Sequence, residues 1–388
     1  MRYWRGYLTA GILAVLTLGL SLLAKRFSIL VDAFYPYLTR EIQTTMATWA
    51  ATVDVTVWQV AFMLLVLVVL VTVVLMVALK WNFFQWLGWI LAGASVVWLL
   101  HTGIYGLNYY AGPLSQDIHL KSYDFTVEDM ADATIYFRDK ANAMALQMPR
   151  DDNGDLIYSD FATLAEKAGQ GFHTLTYEQS GSVFAGSLLP VKELAWADLY
   201  SSMGIMGITM PLTGEAAVNP QIPAVALPFT MCHEMAHRMC IATEDDANFA
   251  AFLSCLANED PQFQYAAYYM AFRYCYSALL SSGVGEAAAA AARIDLEVNS
   301  YLRYDLKTYD RFFSNKRSDV ATDLANAAND AYLKLSGDGA GTASYGQVAT
   351  DLVNWYIDVM VMPYVDEREE SGFDPLDKDY VDGILGNG

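Results

Sequence analysis

The sequence predicts a mainly α protein: three amino-terminal transmembrane helices, then a helical domain with one short edge strand. Three observations carry this. Long apolar segments cluster before residue 107, apolar residues recur at helical spacing through most of the remainder, and long alternating strand patterns are scarce. The chain has 388 residues and is 55% hydrophobic, an excess concentrated at the amino-terminal end, so a membrane anchor plus one or two compact domains accounts for its length. Charge divides at the same place. Residues 1–107 are +3 and the rest −23, for a net charge of −20. An acidic domain repels phosphate backbones, which argues against nucleic acid as a partner; cationic peptides, metal ions or basic proteins are compatible with it.

The elements follow in chain order. A bilayer needs about 20 apolar residues to cross. The first such segment is Tyr7–Ala24, flanked by Arg2, Arg5, Lys25 and Arg26. No small-residue cleavage site precedes the Lys25-Arg26 pair, which favours an uncleaved anchor over a signal peptide. Residues 27–56 read as a plain loop or as an interfacial helix around Val31–Tyr37. The second span is Trp58–Leu79 and the third Phe83–Leu107, joined by a tight turn at Lys80-Trp81-Asn82. The basic residues divide almost evenly between the two sides, so charge alone does not orient the anchor. Helices are expected at Val127–Leu146, Asp160–Ala168, Lys192–Met206, Thr243–Ala257, Pro261–Ser281, Gly285–Leu302, Ser318–Leu335 and Tyr345–Met360, with one extended stretch at Gly207–Leu212. The domains are then an anchor over 1–107, a helical domain over 108–365 and an acidic tail over 366–388.

The chemistry centres on His233-Glu234-Met235-Ala236-His237, an HExxH sequence with Pro228 in the first turn of its helix. His233 and His237 stand one turn apart on one face, the spacing two imidazoles need to share a tetrahedral zinc ion. Glu234, on the adjacent face, suits a general base rather than a ligand. Zinc needs a third protein ligand, and Glu244, Asp245 and Asp246 lie just downstream. In one straight helix Glu244 would sit about 10 Å along the axis from His237. The chain must therefore turn between Arg238 and Thr243. Thr243 followed by Asp246 resembles a capping box that restarts a helix. Glu244 is favoured because Asn248, four residues on, shares its face and can support a ligating histidine by hydrogen bonding.

Beyond these motifs, Leu227-Pro228-Phe229-Thr230, HEMAH, and Glu244-Asp245-Asp246-Ala247-Asn248-Phe249 together resemble the bacterial membrane family catalogued as domain of unknown function 3810. The likeness runs over nearly the whole chain, through Gly106–Tyr110, Met203-Gly204-Ile205, Thr213–Asn219, Asn329–Lys334 and Ser344-Tyr345-Gly346. Members are similar to HExxH zinc peptidases of the Glu-zincin type. The resemblance implies a zincin-like metallopeptidase domain with Zn2+ held by His233, His237 and Glu244 and with Glu234 as base. It also implies a plasma-membrane protein with its amino terminus inside and its zinc domain outside. One departure stands out: the family carries Gly three residues after the second His, where this chain has Cys240. The four cysteines, at 232, 240, 255 and 275, read as buried thiols, with a disulfide left open by spacing alone.

The expected function is a membrane-anchored zinc metallopeptidase-like hydrolase of amide bonds, with the lipid bilayer and a peptide or protein substrate as partners. One rival is a non-catalytic zinc-stabilised binding or assembly protein of the envelope, against which Glu234 argues because a structural site needs no base. The other is a zinc hydrolase of a lipid or cell-wall amide. Gly207–Leu212 is either an edge strand that could hold an extended peptide or an ordinary core strand. Tyr345, with Tyr332 behind it, is the candidate oxyanion donor.

Overall fold

The computed structural model of the chain describes residues 4–178, 183–316, 318–336 and 345–363. Four long helices come first: α1 (Arg5–Arg26), α2 (Ser28–Ala50), α3 (Val57–Ala78) and α4 (Phe83–Ile104). Of these, α1, α3 and α4 are long and apolar enough to cross a membrane. The expected spans thus stand, with ends shifted by a few residues. Of the two readings of residues 27–56, the plain loop does not stand and the helix does: it is the 23-residue α2, longer than Val31–Tyr37 and with Pro36 inside it.

The turn from α3 to α4 is tight, with Lys80 in the left-handed region (φ +52°). Even so, α4 packs along α1. Gly6 and Gly88 let those two backbones meet, since a Cβ on Gly6 would lie 2.5 Å from the Gly88 carbonyl carbon. The two helices run parallel, and α3 stands apart, with only Trp58 and Gln59 buried.

The remaining elements are α5 (Leu114–Asp117), α6 (Val127–Gln147), α7 (Phe161–Glu178), β1 (Lys192–Glu193), α8 (Ala197–Ser202), β2 (Gly207–Met210), β3 (Glu215–Val218), α9 (Leu227–Arg238), α10 (Glu244–Leu256), α11 (Pro261–Ser281), α12 (Gly285–Leu296), α13 (Ser300–Lys316), α14 (Asp319–Ser336) and α15 (Tyr345–Tyr356). Most match the sequence expectation to within a few residues, and three differ. The helix expected at Lys192–Met206 is a short strand followed by six helical residues, because Trp196 takes a left-handed conformation (φ +59°) between them. The helix expected at Gly285–Leu302 is two helices. It breaks at Asn299, whose side chain accepts from the Leu302 amide (2.8 Å) and starts α13. The helix from Asp160 runs ten residues further than expected, to Glu178. The acidic tail lies outside the described residues.

At the centre is α9, with eleven of its twelve residues buried. A helix covered on every face must be flanked all round, and α7, α10, α11, β2 and β3 surround it. The core beyond holds Phe137, Phe172, Phe252, Tyr265 and Tyr269, all fully buried. The small sheet has the order β1-β3-β2, with β1 parallel and β2 antiparallel to β3. Gly207–Met210 is therefore an edge strand.

The domain is bonded to the amino-terminal helices at several points. Glu215, on β3, accepts from the Val57 and Trp58 amides (2.8 and 2.9 Å) and so caps the first turn of α3. Lys192 completes that buried carboxylate's pairing at 2.8 Å. A carboxylate at a helix amino terminus satisfies orphan N–H groups and favours the helix dipole. Gly214 (φ +66°) turns the chain between β2 and β3, and a Cβ there would strike the α2 backbone at Gln43 and Ala47, 2.6 Å away. The Thr213–Asn219 block thus serves to join sheet and helices.

Candidate metal centre

The geometry begins with how α9 ends. The Cys240 amide donates to the His237 carbonyl (2.9 Å) and the Ile241 amide to the Ala236 carbonyl (3.1 Å). This is a Schellman closure, which needs a left-handed residue at the position Cys240 occupies. Cys240 accordingly has φ +69°. The chain turns back, and α10 starts with Thr243 as its cap, accepting from the Asp246 amide (3.3 Å). The turn and restart fall where the sequence expected them.

That turn brings Glu244 to the two histidines. One ligand atom from each of His233, His237 and Glu244 lies within 4.8 Å of the others. Glu244 Oε2 is 3.4 Å from His233 Nε2, and Oε1 is 3.7 Å from His237 Nε2. A charge-assisted N–H···O contact would be about 2.7–2.9 Å. Ligand atoms on a tetrahedron with bonds of about 2.0–2.1 Å are roughly 3.3–3.4 Å apart. The observed spacing is thus wide for direct hydrogen bonding and suited to three groups around one ion.

Tautomer and orientation follow from the surroundings. His237 Nδ1 is 2.9 Å from the Ile241 carbonyl. A carbonyl only accepts, so Nδ1 carries the proton and the Nε2 lone pair faces the trio. His233 differs: its Nδ1 is buried without a hydrogen-bond partner. Asn248 lies close enough to favour the charged form of His233 but short of normal hydrogen-bond geometry to Nδ1. Its Oδ1 accepts from Tyr274 (3.0 Å).

Burial and charge set the protonation states. Burial, then the neighbouring His233, push the His237 pKa down to about 4. Burial acts the other way on Glu244, but pairing with His233 and the charge of both imidazoles bring it to about 2. His233 is raised: burial opposes its charge, but Glu244, with Glu234 and Asn248 adding to it, outweighs burial. A bound cation would displace the proton His233 favours, leaving the neutral and anionic donors that metal binding requires.

Glu234 is not one of the three. Its side chain turns to β2, where the Thr209 hydroxyl lies 2.7 Å from Oε2 and 2.8 Å from the Glu234 carbonyl and can donate to one at a time. Gly207 makes room, since a Cβ there would be 2.5 Å from Oε1. Burial raises the Glu234 pKa to about 7, against the opposing effects of His233 and Thr209.

Asp246 serves the cap. Its Oδ2 accepts from Thr243 (2.7 Å), and its Oδ1 accepts from the Leu114 amide (3.1 Å). Asp245 is not in the trio. Tyr345 begins α15, and Tyr332 lies in α14, but both side chains fall outside the described residues. All four cysteines are buried and free. Thr209, Gly207 and Ile241 were not anticipated as partners of the motif. Only the extended stretch starting at Gly207 pointed toward two of them.

The sequence pattern of the family described as "Protein of unknown function (DUF3810)" matches residues 31–353. No curated protein and no solved structure matches the chain.

Proposed function

We propose that this chain, which belongs to the DUF3810 family, is a membrane-anchored zinc metallopeptidase-like hydrolase with a zincin-like site. The observation that supports the reading most is the convergence of His233, His237 and Glu244 with Glu234 alongside, beneath the edge strand β2. Zinc, when bound, supplies Lewis acidity that makes water a better nucleophile and polarises an amide carbonyl. The chain's own residues do the rest. His233 and His237 present Nε2, and Glu244 offsets part of the ion's charge. Thr209 orients Glu234 through Oε2, which leaves Oε1 to take a proton from the attacking water and return it to the departing nitrogen. A base near pKa 7 suits that exchange. β2 offers an unpaired edge along which an extended peptide could bond.

The anchor would be α1, α3 and α4, with the metal domain outside the plasma membrane. The family resemblance, rather than charge, supports this side: with α1 and α4 parallel and α3 opposed, Arg5 and Lys80 would lie at one end, and Lys25, Arg26 and Arg40 at the other with the domain.

The test uses the full chain purified in detergent. Glu234→Gln should retain zinc and lose peptide hydrolysis, while His233→Ala should lose zinc. Equal metal loss in both variants would refute this division of roles.

A further inference from the structure

The outward face of α2 is unexplained by the metal centre. Leu30, Phe34 and Leu38, at i, i+4 and i+8, are 58%, 70% and 62% exposed, with Tyr37 beside them. Glu41 and Thr45 continue the same stripe and are polar. An amphipathic helix with one bare apolar half has to be covered by something.

Chain geometry indicates what covers it. α2 follows α1 after the single residue Phe27, where the helix breaks (φ −118°, ψ +40°). Its other end, Ala50, is separated from the start of α3 by six residues. Both ends of α2 are therefore tied to one end of the apolar helices. The register of α1 against α4 shows how it runs between them. With Gly6 opposite Gly88 in parallel helices, Thr102 is level with Leu20. Were α1 to continue straight, Tyr35 would lie about 22 Å beyond that level. Instead the Tyr35 hydroxyl donates to the Thr102 carbonyl (2.9 Å), Asp32 accepts from the Gly112 amide (2.8 Å), and Thr39 meets Asn108 (3.3 Å). The helix has folded across the end of the α1–α4 pair.

Its inner face holds the metal centre from two directions. Arg40 Nε donates to the Met239 carbonyl (3.1 Å), at the end of the HExxH helix. Gln43 Nε2 donates to the Pro211 carbonyl (3.0 Å), at the end of β2.

We propose that α2 lies in the bilayer interface, its amino-terminal half covered by lipid through Leu30, Phe34 and Leu38, and that it seats the candidate metal centre on the membrane surface. Lipid is the occupant because both ends of α2 are bound to bilayer-crossing segments. The stripe is polar at Glu41 and Thr45 and ends on the exposed Trp49, a residue suited to headgroup level. Arg40 and Gln43 then keep the end of α9 and the edge strand one helix thickness, about 10 Å, from the bilayer surface. This seat does not depend on hydrolysis.

The experiment places an environment-sensitive nitrobenzoxadiazole label on Leu30→Cys, Phe34→Cys, Leu38→Cys or Thr45→Cys in the full chain. The buried native cysteines are left in place, and the unsubstituted chain is the labelling blank. Each protein is reconstituted into phosphatidylethanolamine–phosphatidylglycerol vesicles. Labels at 30, 34 and 38 should emit to the blue and be quenched by nitroxide lipids but not by aqueous iodide. The label at 45 should show the reverse. Iodide quenching at all four positions would overturn the proposal. So would labels at 30, 34 and 38 reached by neither quencher, which would mean a protein cover such as a second copy. Three separate positions keep the test intact if one variant fails to fold.

Discussion

Glu244 stands out from its two acidic neighbours for reasons that are local. The cap at Thr243 occupies Asp246, and the first turn of α10 turns Glu244 toward both imidazoles. Glu244→Ala should therefore lower zinc affinity by more than the roughly 10–100-fold cost of losing a supporting partner. Asp245→Ala should change it little. Asp246→Ala should leave zinc bound and cost about 1 kcal/mol in stability through the weakened cap. Metal analysis and thermal melts of the three purified variants decide this, and full zinc retention in Glu244→Ala would sink the assignment. The trio was legible in the sequence because HExxH and a helix restart are both short-range patterns. Thr209 and Gly207 were not, because they meet Glu234 across 25 residues or more and carry no chemistry of their own. The support expected from Asn248 came only in part: it flanks His233 without bonding Nδ1.

Among the elements, the end of α9 is where backbone cost is concentrated. Cys240 holds a left-handed conformation that a side chain disfavours by roughly 1–2 kcal/mol. Burial also pushes its thiol pKa up to about 11, with Thr39, Arg40 and Asn108 opposing, so it stays a thiol in the packed turn. Cys240→Gly should leave stability within about 1 kcal/mol of the native protein, since relief of strain offsets the lost packing. Cys240→Val should cost at least about 2 kcal/mol, because a β-branched residue tolerates that conformation worst. Denaturant melts of both variants test it, and a Val variant as stable as the Gly variant would contradict the account. The family resemblance flagged this position, because its members carry glycine where this chain has Cys240. β3 gave no such signal: all four of its residues are buried, so no alternation marks it. α2 was legible only in its amino-terminal half, for another reason. Its inner face mixes Thr39, Arg40 and Gln43, polar residues whose partners lie far along the chain, so the apolar period fades after Leu38.

For the whole molecule, composition was enough to find three apolar helices but not to pair them. The packing of α4 along α1 includes a close backbone approach of Gly6 and Gly88, two unremarkable glycines in the sequence. Orientation is the molecule-scale prediction. With the four native cysteines replaced, one cysteine in the acidic tail should react with an impermeant thiol reagent in intact cells. Protection until lysis would put the metal domain inside and reverse the proposed topology.

Zinc-edge X-ray absorption on the purified full-length protein tests the central claim most directly. The expected result is about one zinc per chain, with two imidazole nitrogens and only oxygen besides, from Glu244 and water, at about 2.0–2.2 Å. A sulfur ligand near 2.3 Å, which would bring in Cys240, or a chain that binds no zinc at all, would contradict it.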